Sequence, residues 1–169
     1  MSLNTLQDLY IHQLKDMYSA EKQLGSALPT MVTAASDNGL KTAFQTHLGE
    51  SEQHLEKVSM LLDKHSANPT STKCKAMAGL IEEGSHIASE SGNADAKDAA
   101  LIVAAQKVEH YEIASYGSLH AIANSLGYSE DAVVIQSILD EEYAANGKLD
   151  KLALGTHKKP GLNKAAQHA

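Results

Sequence analysis

Five glutamates stand where helices normally place apolar residues. Glu21 follows Leu14 and Met17 and precedes Leu24 and Leu28, all at helical spacing. Glu109 and Glu112 interrupt the run Ile102, Ala105, Tyr116, Leu119; Glu142 interrupts Ile135, Leu139, Leu149; Glu50 lies among Phe44, His47, His54 and Val58. Residues three and four apart share a helix face, so each carboxylate points inward with its apolar neighbours. A buried carboxylate is costly unless something positive satisfies it. The chain has no arginine, and its lysines sit mostly off these seams. A metal cluster is the remaining counter-charge. Carboxylate oxygens with an occasional imidazole suit iron and manganese, so two transition-metal ions of one of these kinds are expected.

Dimetal carboxylate bundles draw inward ligands from four helices. Here the first helix offers Glu21, the second Glu50, the third Glu109-x-x-Glu112 and the fourth Glu142, with Asn146 one turn on. The second ligand of the second helix stays open. His54 shares a face with Glu50 at i+4, and Gln53 and Glu52 are the alternatives. His54 could also hydrogen-bond a ligand or lie at the surface. His47, one turn before Glu50, ranks below His54, and His110 points about 100° away from its glutamate neighbours. Tyr18 and Tyr116 read as core tyrosines; the alternative is that they bond a carboxylate or take up an oxidising equivalent.

These side chains need elements to hold them. Apolar periodicity predicts a first helix over about 5–36, which Pro29 should kink or break, with a stop at Asp37-Asn38-Gly39. A second helix is expected over about 40–65, ended by Asn68-Pro69. A connection over about 70–95 carries a short helix capped by Ser71-Thr72. A third main helix starts near Asn93 and runs to Leu126, and Gly127 ends it. A fourth, capped by Ser129, runs to about Leu154. Glu21 and Glu50 lie at similar depths from the 37–39 turn, as do Glu112 and Glu142 from Gly127, which is compatible with one layer. Two tight helix pairs joined by a long crossover predict an all-α, ferritin-like four-helix bundle over residues 1–155. Residues 156–169 are expected to form a mobile C-terminal tail.

Composition agrees. The 169 residues include 25 alanines and only 3 prolines, 1 phenylalanine and no tryptophan, which favours helix over sheet. The net charge of −7 repels phosphates, so no nucleic-acid partner is expected. One cysteine, Cys74, fits a reducing compartment. No signal-peptide pattern and no membrane-length apolar run is visible, so a cytoplasmic location without membrane association is expected. Met31, Val32, Leu40 and Leu48 look like surplus apolar surface and suggest a homodimer packed through the first two helices.

Two runs carry a resemblance. Asp16-Met17-Tyr18-Ser19-Ala20-Glu21-Lys22-Gln23-Leu24 and Gln106-Lys107-Val108-Glu109-His110-Tyr111-Glu112-Ile113-Ala114-Ser115-Tyr116-Gly117 resemble signatures of the YciF-like bacterial stress proteins. Met77-Ala78-Gly79-Leu80-Ile81-Glu82-Glu83 matches as well. The resemblance spans about residues 1–155. It implies a ferritin-like bundle, a dimetal centre on Glu21, Glu50, Glu109, Glu112 and Glu142, dimerisation and expression under stress. That family often has Glu or His and Gln around positions 49, 52 and 54, where this chain has Gly49, Glu52 and His54. The expected chemistry is oxidation of Fe(II) by oxygen or peroxide. The alternative is a structural dimer that holds metal without turnover.

Overall fold

A computed structural model describes residues 3–69, 72–157 and 159–168. The first helix, α1 (Leu6–Ala34), starts at a capping box in which the Asp8 N–H donates to Thr5 Oγ1 and the Thr5 N–H returns a bond to Asp8 Oδ2. It runs unbroken through Pro29, so the break that residue could have caused does not occur. Pro29 faces solvent, where water can serve the Gly25 carbonyl that lost its donor. Asp37 caps α2 (Asn38–Lys64) through the Leu40 N–H, so the expected stop is equally a start.

The connection holds α3 (Lys75–Ser89). Its cap is Cys74, whose Sγ accepts from the Met77 N–H, rather than the Ser71-Thr72 pair. Ser71 itself lies outside the described residues. Asn93 caps α4 (Ala94–Ser125) with its side-chain oxygen on two N–H groups. Gly127, at φ 74°, turns the chain. The last long helix, α5 (Ser129–Leu154), begins at Tyr128 with no side-chain cap, so Ser129 is its first residue and not its cap. Asp131 in its first turn is used elsewhere.

α1 pairs with α2 and α4 with α5; contacts of α1 with α4 and of α2 with α5 close the four-helix bundle. α3 lies across α1 and α4 on the outside. The segment expected as a tail carries a two-residue ladder, β1 (Gly155–Thr156) with β2 (Lys159–Pro160), then α6 (Leu162–Ala165), which rests on α4 and α5. Gly155 has φ 81°, and a Cβ there would meet the Gly161 nitrogen at 2.3 Å, so only glycine fits this turn.

Two buried aspartates tie the helix pairs together at opposite ends. Asp98 on α4 accepts the Ser36 and Asp37 N–H groups at 2.8 and 2.7 Å, clamping the α1–α2 turn. Asp131 on α5 accepts from Tyr10 of α1 at 2.9 Å and from Lys64 of α2 at 2.7 Å, and lies 2.7 Å from His65 Nε2. The first tie puts the starts of α2 and α4 at one end, so these two helices run in the same direction.

The apolar surplus read from the sequence is largely enclosed. Leu40 is fully buried, and Met31, Val32 and Leu48 pack partly against the core. No helix among the described residues is long and apolar enough to cross a membrane.

Candidate metal centre

The middle of the bundle is polar. α1 contributes Glu21, α2 His47, Ser51 and His54, α4 Glu109 and Glu112, and α5 Glu142; all are buried. They fall into two groups. His47, Glu109, Glu112 and Glu142 bring ligand-type atoms within 4.8 Å of one another, and so do Glu21, His54 and Glu142. Glu142 belongs to both.

His47 Nε2 stands 3.5 Å from Glu109 Oε1 and 3.7 Å from Glu112 Oε2. His54 Nδ1 stands 3.0 Å from Glu142 Oε1 and 3.5 Å from Glu21 Oε1. Neither histidine contact has hydrogen-bond alignment: both His47 nitrogens, His54 Nδ1, Glu109 Oε2 and both oxygens of Glu112 and Glu142 are buried without a partner. Native proteins rarely leave such atoms unmade, and each costs about 1–3 kcal/mol. Unpartnered oxygens and imidazole nitrogens converging in a buried layer fit a hard or borderline metal ion.

The surroundings hold these groups in place. Tyr116 donates to Glu21 Oε1 at 2.5 Å and Ser51 donates to Oε2 at 2.7 Å. His54 meets Glu141 through Nε2. If that nitrogen carries the proton, Nδ1 keeps its lone pair toward Glu21 and Glu142.

Glu50 is placed differently from the sequence expectation. It sits at the rim, 24% exposed, with Oε1 3.5 Å from Lys148 Nζ and Oε2 3.7 Å from His47 Nδ1. It lies outside both groups, beside the back of His47. Gln53 and Glu52 face solvent, so of the three candidates on that turn only His54 points inward. His110 is exposed. Tyr18 is half-buried against the core, and Tyr116 is a core tyrosine whose hydroxyl is used on a carboxylate.

Sequence reasoning ranked His47 low and missed Ser51. Spacing alone could not separate Ser51 from Glu50, since both lie three or four residues from His47 and His54. The alternation of the whole seam could have. Phe44, His47, Ser51, His54 and Val58 step by three and four in strict turn, and Glu50 breaks that order.

Charge follows from burial. For His47, burial opposes protonation, but Glu50, Glu109, Glu142 and Glu21 outweigh it and push the pKa up to about 9. For His54, burial likewise opposes, and Glu142 and Glu21 push it up to about 10. Burial, then the neighbouring carboxylates, raises Glu112 and Glu109 well above the usual carboxylate range. The metal-free centre therefore stores protons at neutral pH. Metal must expel them, so uptake should tighten as pH rises toward 9. Loading with Mn(II) in weakly buffered solution at pH 7 should release about two or more protons per chain, read by a pH indicator. Release of none contradicts this charge state.

Comparison with known proteins gives a consistent picture. The profile of the domain of unknown function DUF892 matches residues 5–160. Protein YciF of Escherichia coli (strain K12) is 43% identical over 166 residues, 98% of this chain and 100% of its own length. The crystal structure of that E. coli stress protein superposes with a TM-score of 0.85 over 89% of this chain and 95% of its own. YcfI of Rhodopseudomonas palustris, 38% identical, also gives 0.85, over 91% and 99%. A Xanthomonas campestris protein at 21% identity and TM-score 0.68, over 86% and 88%, shares the fold.

Proposed function

The chain belongs to the DUF892 family, and on that premise we propose that it is a stress-response protein whose bundle holds a dinuclear iron or manganese carboxylate centre that oxidises Fe(II) with oxygen or peroxide. The observation that carries this reading is Glu142, shared by two buried His/Glu groups in which both of its own oxygens, both of Glu112, the His47 nitrogens and His54 Nδ1 have no hydrogen-bond partner. His47, Glu109, Glu112 and Glu142 would hold one ion, and Glu21, His54 and Glu142 the other. Two ions held together supply two electrons to one oxidant.

The protein's part is positioning and proton handling. Tyr116 and Ser51 fix both oxygens of Glu21, and Glu141 fixes the ring of His54. Preformed ligands spare the reorganisation that a higher metal charge would otherwise demand. Two electrons from a bound ion pair, with two protons, would take dioxygen to hydrogen peroxide or hydrogen peroxide to two waters. As ligands, Glu109 and Glu112 would give up their protons when metal binds, so the protons taken up by the oxidant come from solvent.

Adding Fe(II) to the metal-free protein in air should give ferric absorbance at least about tenfold faster than buffer, given what positioned groups contribute. Glu112→Ala should remove the acceleration, and Glu52→Ala, on solvent, should keep it. Equal rates for wild type and Glu112→Ala would leave a structural protein that holds metal without turnover as the better reading.

Assembly as a homodimer is part of the same proposal. Exposed Met60, Val103, Val133 and Tyr143 supply apolar surface for it. Light scattering should give twice the chain mass; a monomer mass removes it.

A further inference from the structure

Beneath α3 lies an apolar cavity of ≈ 40 Å³ that ends at the metal centre. Leu24, Leu28, Phe44, Leu80, Ile81 and Val108 form its walls, and His47 and Glu109 stand at its inner end. Both residues carry buried atoms without a hydrogen-bond partner, the two His47 nitrogens and Glu109 Oε2. A second, smaller recess reaches the same two residues from the α2–α5 side, past Glu50 and Lys148. The centre thus has one apolar approach and one charged approach.

We propose that the apolar cavity is a dioxygen pocket, which makes dioxygen rather than peroxide the oxidant of this centre. Size and polarity select the occupant. A cavity of ≈ 40 Å³ takes a molecule of only a few atoms. Its walls are mostly aliphatic, with the hydroxyls of Thr30 and Ser85 on its exposed side, and so favour a small apolar guest over one that needs several hydrogen bonds. Dioxygen is diatomic and apolar. Hydrogen peroxide donates and accepts hydrogen bonds, and losing them on entry costs free energy. It suits the Glu50–Lys148 side.

The crossover helix makes the space. Gly84 of α3 faces Met31 and Ala104, and a Cβ built on it would meet both at 3.8–3.9 Å, in ordinary contact. A methyl group is therefore accommodated, whereas a leucine must fill the cavity. Ala104 on α4 offers a second position for the same change.

The inference rests on the metal-centre reading for its consequence but not for its first test. Metal-free protein is placed under dioxygen pressure, and paramagnetic relaxation of the methyl groups is read by NMR. Leu80 and Ile81 should relax at least about threefold more than other half-buried methyls such as Ile113 and Ile122, and Val108 at least about threefold more than the comparably buried Leu139. Gly84→Leu should abolish the difference, with Ala104→Leu as the second variant should the first fail to fold. No excess relaxation in wild type overturns the pocket. Iron-loaded protein then gives the second reading. Filling the cavity should slow oxidation by dioxygen about tenfold or more and leave oxidation by peroxide within about twofold. Equal slowing of both, or of neither, overturns delivery through the cavity. Excess relaxation with no iron oxidation by either oxidant would instead overturn the proposed function, leaving a gas-binding cavity.

Discussion

Glu142→Ala is expected to lower the metal content from about two ions per chain to less than about half an ion. The reason is that one side chain serves both groups: its oxygens face His47, Glu109 and Glu112 on one side and Glu21 and His54 on the other. Replacements confined to one group act differently. Glu21→Ala should leave about one ion, and Glu50→Ala, outside both groups, about two. Elemental analysis after anaerobic reconstitution with Fe(II) or Mn(II) measures this series. If Glu142→Ala kept as much metal as Glu21→Ala, the shared-carboxylate arrangement would be wrong. Stability should follow content. Ligand at a hundredfold its Kd adds about 2.7 kcal/mol to a protein of this kind, so a chelator should lower the wild-type Tm and leave Glu142→Ala unchanged.

Asp131→Ala carries the largest expected loss of stability away from the centre. The carboxylate is fully buried and bonded to Tyr10, His65 and Lys64. Its loss strands the Tyr10 hydroxyl, which is also fully buried, and unpairs two basic groups. Breaking a buried pair costs about 3–5 kcal/mol, and the low end applies because Lys64 is half exposed. In a chain of this length that lowers Tm by about 10 °C. Calorimetry showing a shift below about 3 °C would contradict this network's role.

Acid gives a second reading of the same site. Burial alone would raise the Asp131 pKa, but the bonds from His65, Lys64 and Tyr10 outweigh it and hold the carboxyl below its usual 3.8. A depressed native pKa stabilises the fold above the unfolded value and loses that contribution as pH falls through the native one. Wild type should therefore lose stability on acidification below about pH 4, and Asp131→Asn should lose less over the same interval.

Helix periodicity carried most of the architecture. Long runs of apolar residues at 3.6 spacing, Gly127 and the start near Asn93 mark the same helices in sequence and structure. The errors have local causes. Pro29 lies on a solvent face, where a proline is tolerated. Cys74 caps α3 because its thiol comes under the Met77 N–H, and a cysteine carries no recognisable cap signature. In the centre, the five inward glutamates of the seam argument separate into four buried ones and one at the rim. Glu21, Glu109 and Glu112 interrupt apolar seams with no second carboxylate beside them, and Glu142, not its neighbour Glu141, falls at seam spacing from Ile135, Leu139 and Leu149. Glu50 had a competitor in Ser51, and the rotation of α2 that decides between them depends on packing against α1 and α5. Asp98 and Asp131 were invisible for another reason. Each bonds a partner more than sixty residues distant, and a lone aspartate near a helix start reads as a dipole effect.

The same two aspartates bear on how the molecule breathes. Each joins one helix pair to the other, and they do so at opposite ends with the polar layer between them. Neither pair can swing out like a door, because a hinge at one end leaves the far stitch to be broken. Separating one pair from the other must therefore break both ties, and the slowest-exchanging amides of all four long helices should share one opening free energy. An ion leaving the centre would then have to pass between side chains, never through a half-unfolded state.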